Sequence, residues 1–592
     1  MTSRQYLRVI QQLGQGSGIL FLPVHMIGPA VLISGGSIAL KAIRPDLPWS
    51  VLGFMVVGGT LFWFLLTFKE GSFRYLNKLF KSLHPRWRRD DWKQETAMAQ
   101  PLLMQKTPEV ESPAKQLRAK PLYKEFHLVA IIHFVYQDKI VEACLLERES
   151  SFSRLLGGAS DWRVVFGFQT QGIHSYTTED QFARSYSCLD MGLREFSQNE
   201  HITFSLRLRA DASDCRDELL GTIEKADNTA FKILASYELG RREELATARQ
   251  RKLMDLLVFA TYTEERALFR GDDWVALIIN SLQMGLRLSW LPLKLGLARY
   301  IHYLKGDEAQ QESAQLSAFL RRAYTEGYFH WESFLTQKLK LSDAIALSRG
   351  EYWQEIWSQL NGPDPVSDIP RIITVTATGS SEEITTPLDP RRMLLQHIPD
   401  ARSSTVDVAG NCVMLARCIA KPGGATSARE VMHFIFERIH ESNHVEIITQ
   451  LSKADSQMTR ALLNFQSRRA SHAAAKADAM NIPDVGALQN RQGSLDAESA
   501  ILSGQAVLKV AFVIKVTAPT YADAHAELRK LCRCWPMPMQ LEIDRYGAWR
   551  TWLQTLHSTW EQLLVYGPFD QRQLMLSSEV PLLLPIVMPR CE

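Results

Sequence analysis

ITFSLRLR, residues 202–209, sets Ile202, Phe204, Leu206 and Leu208 in strict alternation with polar neighbours, the period-two pattern of a strand with one apolar face. From about Asp214 to Gln250 the chain reads as a long charged helix, and LMDLLVFATYT (Leu253–Thr263) as the strand it feeds. Upstream, Arg163–Gln169 (RVVFGFQ) is strand-like, and Thr178-x-x-Gln181 opens a helix with a capping box. His127–Tyr136 and Ile140–Leu146 flank Gln137-Asp138-Lys139 as a hairpin. The same order recurs further on. Cys412–Ala420 is strand-like, Ser427-x-x-Glu430 caps a helix through Arg438, and His444–Thr449 is strand-like again. A polar helix follows from about Lys453 to Met480, then a strand at Ala506–Thr517, a helix opened by Thr520-x-x-Asp523, and a last strand at Met539–Ile543.

Strand, helix, strand, long helix, strand predicts an α/β (α+β) sandwich with one sheet face covered by helices, built twice as related modules over 122–270 and 373–570. The segment between them, 271–372, reads as a helical insertion, with Asp272 to about Gln359 forming core helices. Composition agrees with several modules. The chain has 592 residues, 46% hydrophobic and 22% charged, with 33 Gly and 25 Pro, which excludes collagen-like and wholly disordered classes. Its 67 basic and 64 acidic side chains leave a net charge of +3, so global charge does not point to nucleic acid. Eight cysteines scattered from Cys144 to Cys591 do not form a disulfide framework, and reduced thiols are expected.

Two uncharged stretches near the start, Gly18–Leu40 and Trp49–Phe68, are each long enough to cross a hydrocarbon layer as a helix. Residues 1–93 therefore read as a transmembrane hairpin with a basic juxtamembrane end, in which Arg86, Arg88 and Arg89 fix orientation by the positive-inside rule. That predicts a bacterial inner-membrane protein of two spans with both termini cytoplasmic. A polar tether with Pro101, Pro108, Pro113 and Pro121 occupies 94–121.

The order LRLRADASDC (206–215), the charged stretch 215–250, LLVFATYT (256–263) and the closing LLVYGPFDQRQLMLSSEVPLLLPI (563–586) resemble the N-terminal half of TraC-like assembly ATPases of conjugation and type IV secretion. Residues 1–93 resemble the two-helix membrane subunit fused ahead of some members. The resemblance implies a RecA-like motor using ATP and Mg²⁺, other inner-membrane secretion subunits as partners, a homo-oligomer, and DNA reached only indirectly. A phosphate-cradling loop needs Gly-Lys-[Ser/Thr], because glycines let backbone N–H groups face the phosphates and the lysine neutralises them. No Gly-Lys dipeptide occurs in this sequence. The motor is thus expected outside the chain, with 571–592 read as the start of a following domain, and no catalytic or cofactor-binding residue is expected within these 592 residues.

One further motif carries chemistry. His440-Glu441-Ser442-Asn443-His444 matches H-E-x-x-H, in which two histidines on one helical face bind zinc and the glutamate activates water. In this sequence Ser442-Asn443 reads as a helix end and His444 as the opening of a strand, which separates the two rings. Pro422–Ser427 lies between a strand and a helix, but the capping box accounts for it without a phosphate. Cys532 and Cys534 lack a second ligand pair at zinc spacing. The expected function is a membrane-anchored scaffold of a transfer machine; the alternatives are a membrane-tethered zinc hydrolase using His440, Glu441 and His444, or a motorless membrane interaction protein.

Overall fold

The computed structural model describes Leu7–Val9, Gly18–Ile19 and Leu22–Pro23, and then most of 122–588; within that body 149–160, 265–307, 427–443 and several shorter runs lie outside the described residues. Fifteen strands form one sheet: β1 (Leu128–Tyr136), β2 (Lys139–Arg148), β3 (Asp161–Thr170), β4 (His201–Arg209), β5 (Leu253–Glu264), β6 (Ile345–Ala346), β7 (Arg371–Val375), β8 (Ser380–Ile384), β9 (Asp400–Ala401), β10 (Val406–Val408), β11 (Asn411–Ala420), β12 (His444–Lys453), β13 (Val507–Ala518), β14 (Gln540–Ile543) and β15 (Gln573–Leu576). Their order is β8-β7-β1-β2-β3-β5-β4-β12-β13-β11-β10-β9, with β6 on β3, β14 on β11 and β15 on β13. Every pairing is antiparallel except β7 on β1.

The centre of this order is a palindrome, β3-β5-β4 followed by β12-β13-β11. In the first half β3 leads through α1 (Glu179–Arg194) to β4, and β4 through a helical pair, α2 (Ser213–Lys225) and α3 (Thr229–Thr247), to β5. In the second, β12 leads through another helical pair to β13. The single charged helix expected from Asp214 is therefore a hairpin. Asn228 breaks it, because its side-chain oxygen accepts from the Ala230 amide (2.9 Å) and caps a new helix.

Helices cover both sheet faces, where the sequence suggested one. On the first face lie α1 and a long segment that begins as α4 (Glu308–Arg322) and runs through π-type turns at Ala323–Tyr328 and Phe334–Lys338. Phe319, Trp331 and Phe334 bury there against Trp162, Phe166 and Phe204. On the second face sits α5 (Glu351–Asn361), whose Tyr352, Trp353, Ile356, Trp357 and Leu360 form an apolar stripe at helical spacing. The second helical pair, α6 (Ser456–Ala479) and α7 (Val485–Leu502), docks beside β15 through Leu463, Ala497 and Ile501 on Val507 and Leu576. α8 (Tyr521–Cys532) starts where the sequence placed it, the Thr520 hydroxyl accepting from the Asp523 amide at 3.2 Å. α9 (Ala548–Thr555) returns to the second face with Trp552. Gly167 in β3 has a steric reason: a Cβ there would lie 2.6 Å from Leu347 and 2.8 Å from Tyr352.

The transmembrane hairpin is corrected. Inside the first uncharged stretch Gly18–Ile19 pairs antiparallel with Leu22–Pro23, which a continuous helix from Gly18 does not allow. Among the described residues no helix is long and apolar enough to cross a membrane. Hydropathy counts apolar surface, while Pro23, Pro29 and the glycines 28, 35 and 36 oppose helix without changing that count, which is the physical reason for the difference. The two-span inner-membrane location falls with the hairpin. Residues 49–68 and Arg86, Arg88 and Arg89 lie outside the described residues.

The second face depends on its aromatic stripe. Trp353 is 1% exposed and its Nε1 donates to the Ser367 carbonyl at 2.8 Å. Trp353→Ala is expected to lower unfolding free energy by about 3–5 kcal/mol, through lost burial and an unfilled cavity. Urea unfolding of the full chain followed by circular dichroism measures this.

Candidate functional site

Where the two halves meet, β4 and β12 turn Ile202, Phe204, Leu206 and Leu208, and Val445, Ile447 and Leu451, to the first face. Their alternate residues therefore point to the second face, and apart from Ile448 these are polar: Thr203, Ser205 and Arg207 on β4; Glu446, Gln450 and Ser452 on β12. Register sets Arg207 opposite Glu446 and Glu446 opposite Lys515 of β13, so three charges of alternating sign stand in a row across three strands. Arg207 Nε donates to Glu446 Oε1 at 3.1 Å, Ser205 Oγ to the same oxygen at 2.5 Å, and Lys515 pairs with Glu446 Oε2. α5 closes the group from above, its Glu355 accepting from Arg207 Nη1 at 2.6 Å. The Arg207, Glu355 and Lys515 side chains are only 11 to 13% exposed, and Glu446 is buried.

Two cations and two carboxylates cancel, which is the condition for keeping charge in a poorly solvated place. Burial alone would raise the Glu446 carboxyl, but Arg207, Lys515 and the hydrogen bonds hold it well below the usual carboxylate range. Glu355 is lowered in the same way against its burial by Arg207. Burial opposes the Arg207 charge, yet Glu355 and Glu446 outweigh it and raise its pKa further.

Beside the charges the segment 556–572 straps the seam. Gln450 Oε1 accepts from the Leu563 amide at 2.7 Å while its Nε2 donates to Thr203 Oγ1 at 3.0 Å. Arg163 of β3 donates to the Trp560 carbonyl at 2.7 Å and lies 4.1 Å above the Trp560 ring. Arg572 donates to Ser452 Oγ at 2.8 Å. His557 stacks on Phe259 of β5, ring centroids 3.4 Å apart, and its Nε2 has no hydrogen-bond partner among the described residues. Burial depresses the His557 imidazole to about 3, and pushes His201 well below its usual value with help from Arg163, Arg572 and His557 itself. Both rings are neutral at physiological pH.

A cavity of about 20 Å³ lies among His201, Thr203, Thr261, Gln450, Gln554 and His557. It has room for about one water and is far smaller than a cofactor or substrate pocket. The charged row and the strap together fix the seam between the halves. None of these residues stood out in the sequence. The signal was present as charge at the alternate positions of LRLR, HVEI and VIKVT, but only pairing register joins them.

The residues that did stand out are elsewhere. His440 and Glu441 lie outside the described residues; His444 is the exposed first residue of β12, opposite Arg209. Gly424–Thr426, read as part of a loop before a helix, instead pairs antiparallel with Leu7–Val9. Cys532 ends α8 half-buried. Among the described residues no group of three or more His, Cys, Asp or Glu side chains could hold a metal ion. No family model and no curated protein sequence matches this chain.

Removing one member of the charged row is expected to cost more than removing all. Glu446→Leu alone strands Lys515, leaves Arg207 with Glu355 only, and should lower stability by about 3–5 kcal/mol, whereas Arg207→Met, Glu355→Leu, Glu446→Leu and Lys515→Met together should recover most of that loss. Parallel denaturant titrations check it, and equal losses would contradict the pairing. A second expectation concerns pH. Below about 6.5 the unfolded chain protonates His557 while the folded one does not until about 3, so the unfolded state binds more protons and stability falls as pH falls through that window. The slope is about 1.4 kcal/mol per pH unit for such an imidazole, and stability measured from pH 7 to 5 should lose part of it in His557→Phe.

Proposed function

We propose that this chain is a docking scaffold of a TraC-like conjugative-transfer or type IV secretion machine, binding other secretion subunits and positioning a RecA-like motor carried by a following or partner domain outside these 592 residues. The observation that carries the reading is the charge-matched seam: it joins two halves of like topology into one sheet and leaves their helical pairs outside it. Such a body transmits position and force without chemistry of its own. The order of segments that resembles those ATPases supports it further, as does the lack of a Gly-Lys dipeptide for a phosphate loop. ATP and Mg²⁺ belong to the motor in this reading, and any DNA contact is made through the assembled machine.

Co-purification tests it. The full chain, mixed at micromolar concentration with the RecA-like motor subunit of its own transfer system, is expected to co-elute in size exclusion and to change the motor's ATPase rate, while hydrolysing no ATP alone. Separate elution with an unchanged motor rate would refute the proposal, as would ATP hydrolysis by the chain alone.

A further inference from the structure

The segment that carries the strap does not stay on one face of the sheet. After burying Leu556, Trp560, Leu563, Leu564 and Tyr566 on the second face, it enters the sheet plane as β15 beside β13 and leaves on the first, where Val580, Leu583, Leu584 and Ile586 join the core. Val587–Met588 then pair in parallel with Ile173–His174, between β3 and α1 of the first half.

On each face this segment grips both halves. On the second, the Leu563 amide donates to Gln450 of β12 at 2.7 Å, and Arg163 of β3 donates to the Trp560 carbonyl at 2.7 Å. On the first, Thr449 Oγ1 of β12 donates to the Leu583 carbonyl at 2.8 Å, and Ser577 Oγ donates to Asp190 of α1 at 2.6 Å. Lys421, one residue past β11, pairs with Glu579 at 3.3 Å, both side chains buried. Thr449 and Gln450 are neighbours on one strand, so their side chains are held from opposite sides of the sheet at a single point of β12.

We infer that 556–588 is a two-armed clasp across the seam, in which release of the first-face arm loosens the second-face arm with it. A continuous set of contacts joins the arms. Glu579, at the start of the first-face arm, accepts from the Leu576 amide of β15 at 3.2 Å, and the Ser577 amide donates to the Ala506 carbonyl at 2.8 Å, so the end of β15 is fixed by the arm that follows it. β15 is four residues long and pairs with β13 alone. At its other end Arg572 donates to Ser452 of β12 at 2.8 Å and to Gln562 of the strap. Loss of the first-face arm therefore frees β15, and loss of β15 frees the arginine that ties the strap to β12. The pairing of Val587–Met588 covers only two residues, which makes it the point where opening starts. Whatever draws that pair from Ile173–His174 acts on the seam, and this holds whichever machine the chain serves.

Hydrogen exchange of the full-length chain, followed by mass spectrometry, tests it. Asp190→Ala removes the acceptor of Ser577 on the first face, and is expected to speed exchange about tenfold or more in 580–586 and, together with it, in 558–566, while β1 and β2 keep wild-type protection. Asp190→Asn, which keeps an acceptor, should restore most of the protection in both stretches. Thr449→Val, nearly isosteric, should give the same paired effect and serves where Asp190→Ala does not fold. Phe319→Leu, which loosens the first-face core against Trp162 and Tyr262, should speed these two stretches no more than the rest of the chain. Faster exchange in 580–586 with 558–566 unchanged overturns the inference. So does equal acceleration along the whole chain, or no acceleration in either Asp190→Ala or Thr449→Val.

Discussion

The row Arg207–Glu446–Lys515 carries the join between two halves that could otherwise be two proteins. Sheet pairing across β4 and β12 supplies backbone hydrogen bonds, and these are similar in any register. The charged row makes one arrangement distinct. Because Glu446 accepts from both sides and from Ser205, every oxygen of its carboxylate is used, and the cost of burying it is met only when β4, β12 and β13 stand as they do. Glu355 extends the dependence to α5, so the helix that covers the second face is held by the same group.

The strap over residues 556–572 has the complementary task. It buries Leu556, Trp560, Leu563, Leu564 and Tyr566 in the second-face core and hydrogen-bonds successively to β3, β4's partner Gln450, and Ser452. Polar residues in the middle of a covered sheet face would be costly if unpaired, and the strap pairs most of them. His557 is one exception, a neutral imidazole held by stacking, with one ring nitrogen unpartnered among the described residues. Its depressed pKa follows from that environment, since a proton there would sit in poorly solvated surroundings.

Much of the sheet was readable from periodicity. The alternation in ITFSLRLR and the apolar runs at 253–263 and 506–517 each lie on a strand, because a face of isoleucine, leucine, phenylalanine and valine has one physical solution in water. What periodicity does not encode is whether the polar face meets water. Thr203, Ser205 and Arg207 have the composition of a solvated face and lie under α5 and the strap, which are distant in sequence. α7 is hard to see because Gly486 and Gly493 weaken its helical pattern, and β7 because its hairpin partner β8, SSEEI, is polar and exposed throughout and shows no apolar alternation. The N-terminal stretch misled for the opposite reason: its apolar content was decisive on any transfer scale, while its prolines and glycines, invisible to that scale, bear on the backbone.

Why the seam is charged at all has a geometric answer. A slip of β12 by one residue against β4 would throw every apolar side chain to the wrong face and is forbidden by hydrophobic burial alone. A slip by two keeps Ile202, Phe204, Leu206 and Leu208 inward and costs the core little, so apolar patterning cannot exclude it. It does, however, set Arg207 against Ile448 in one direction or His444 in the other, and takes the Glu446 carboxylate away from its guanidinium. A buried cation facing an isoleucine costs several kcal/mol, more than a modest repacking of apolar side chains. The apolar face thus decides parity and the charged row decides register, and a wide sheet assembled from two similar halves needs both to have a single structure.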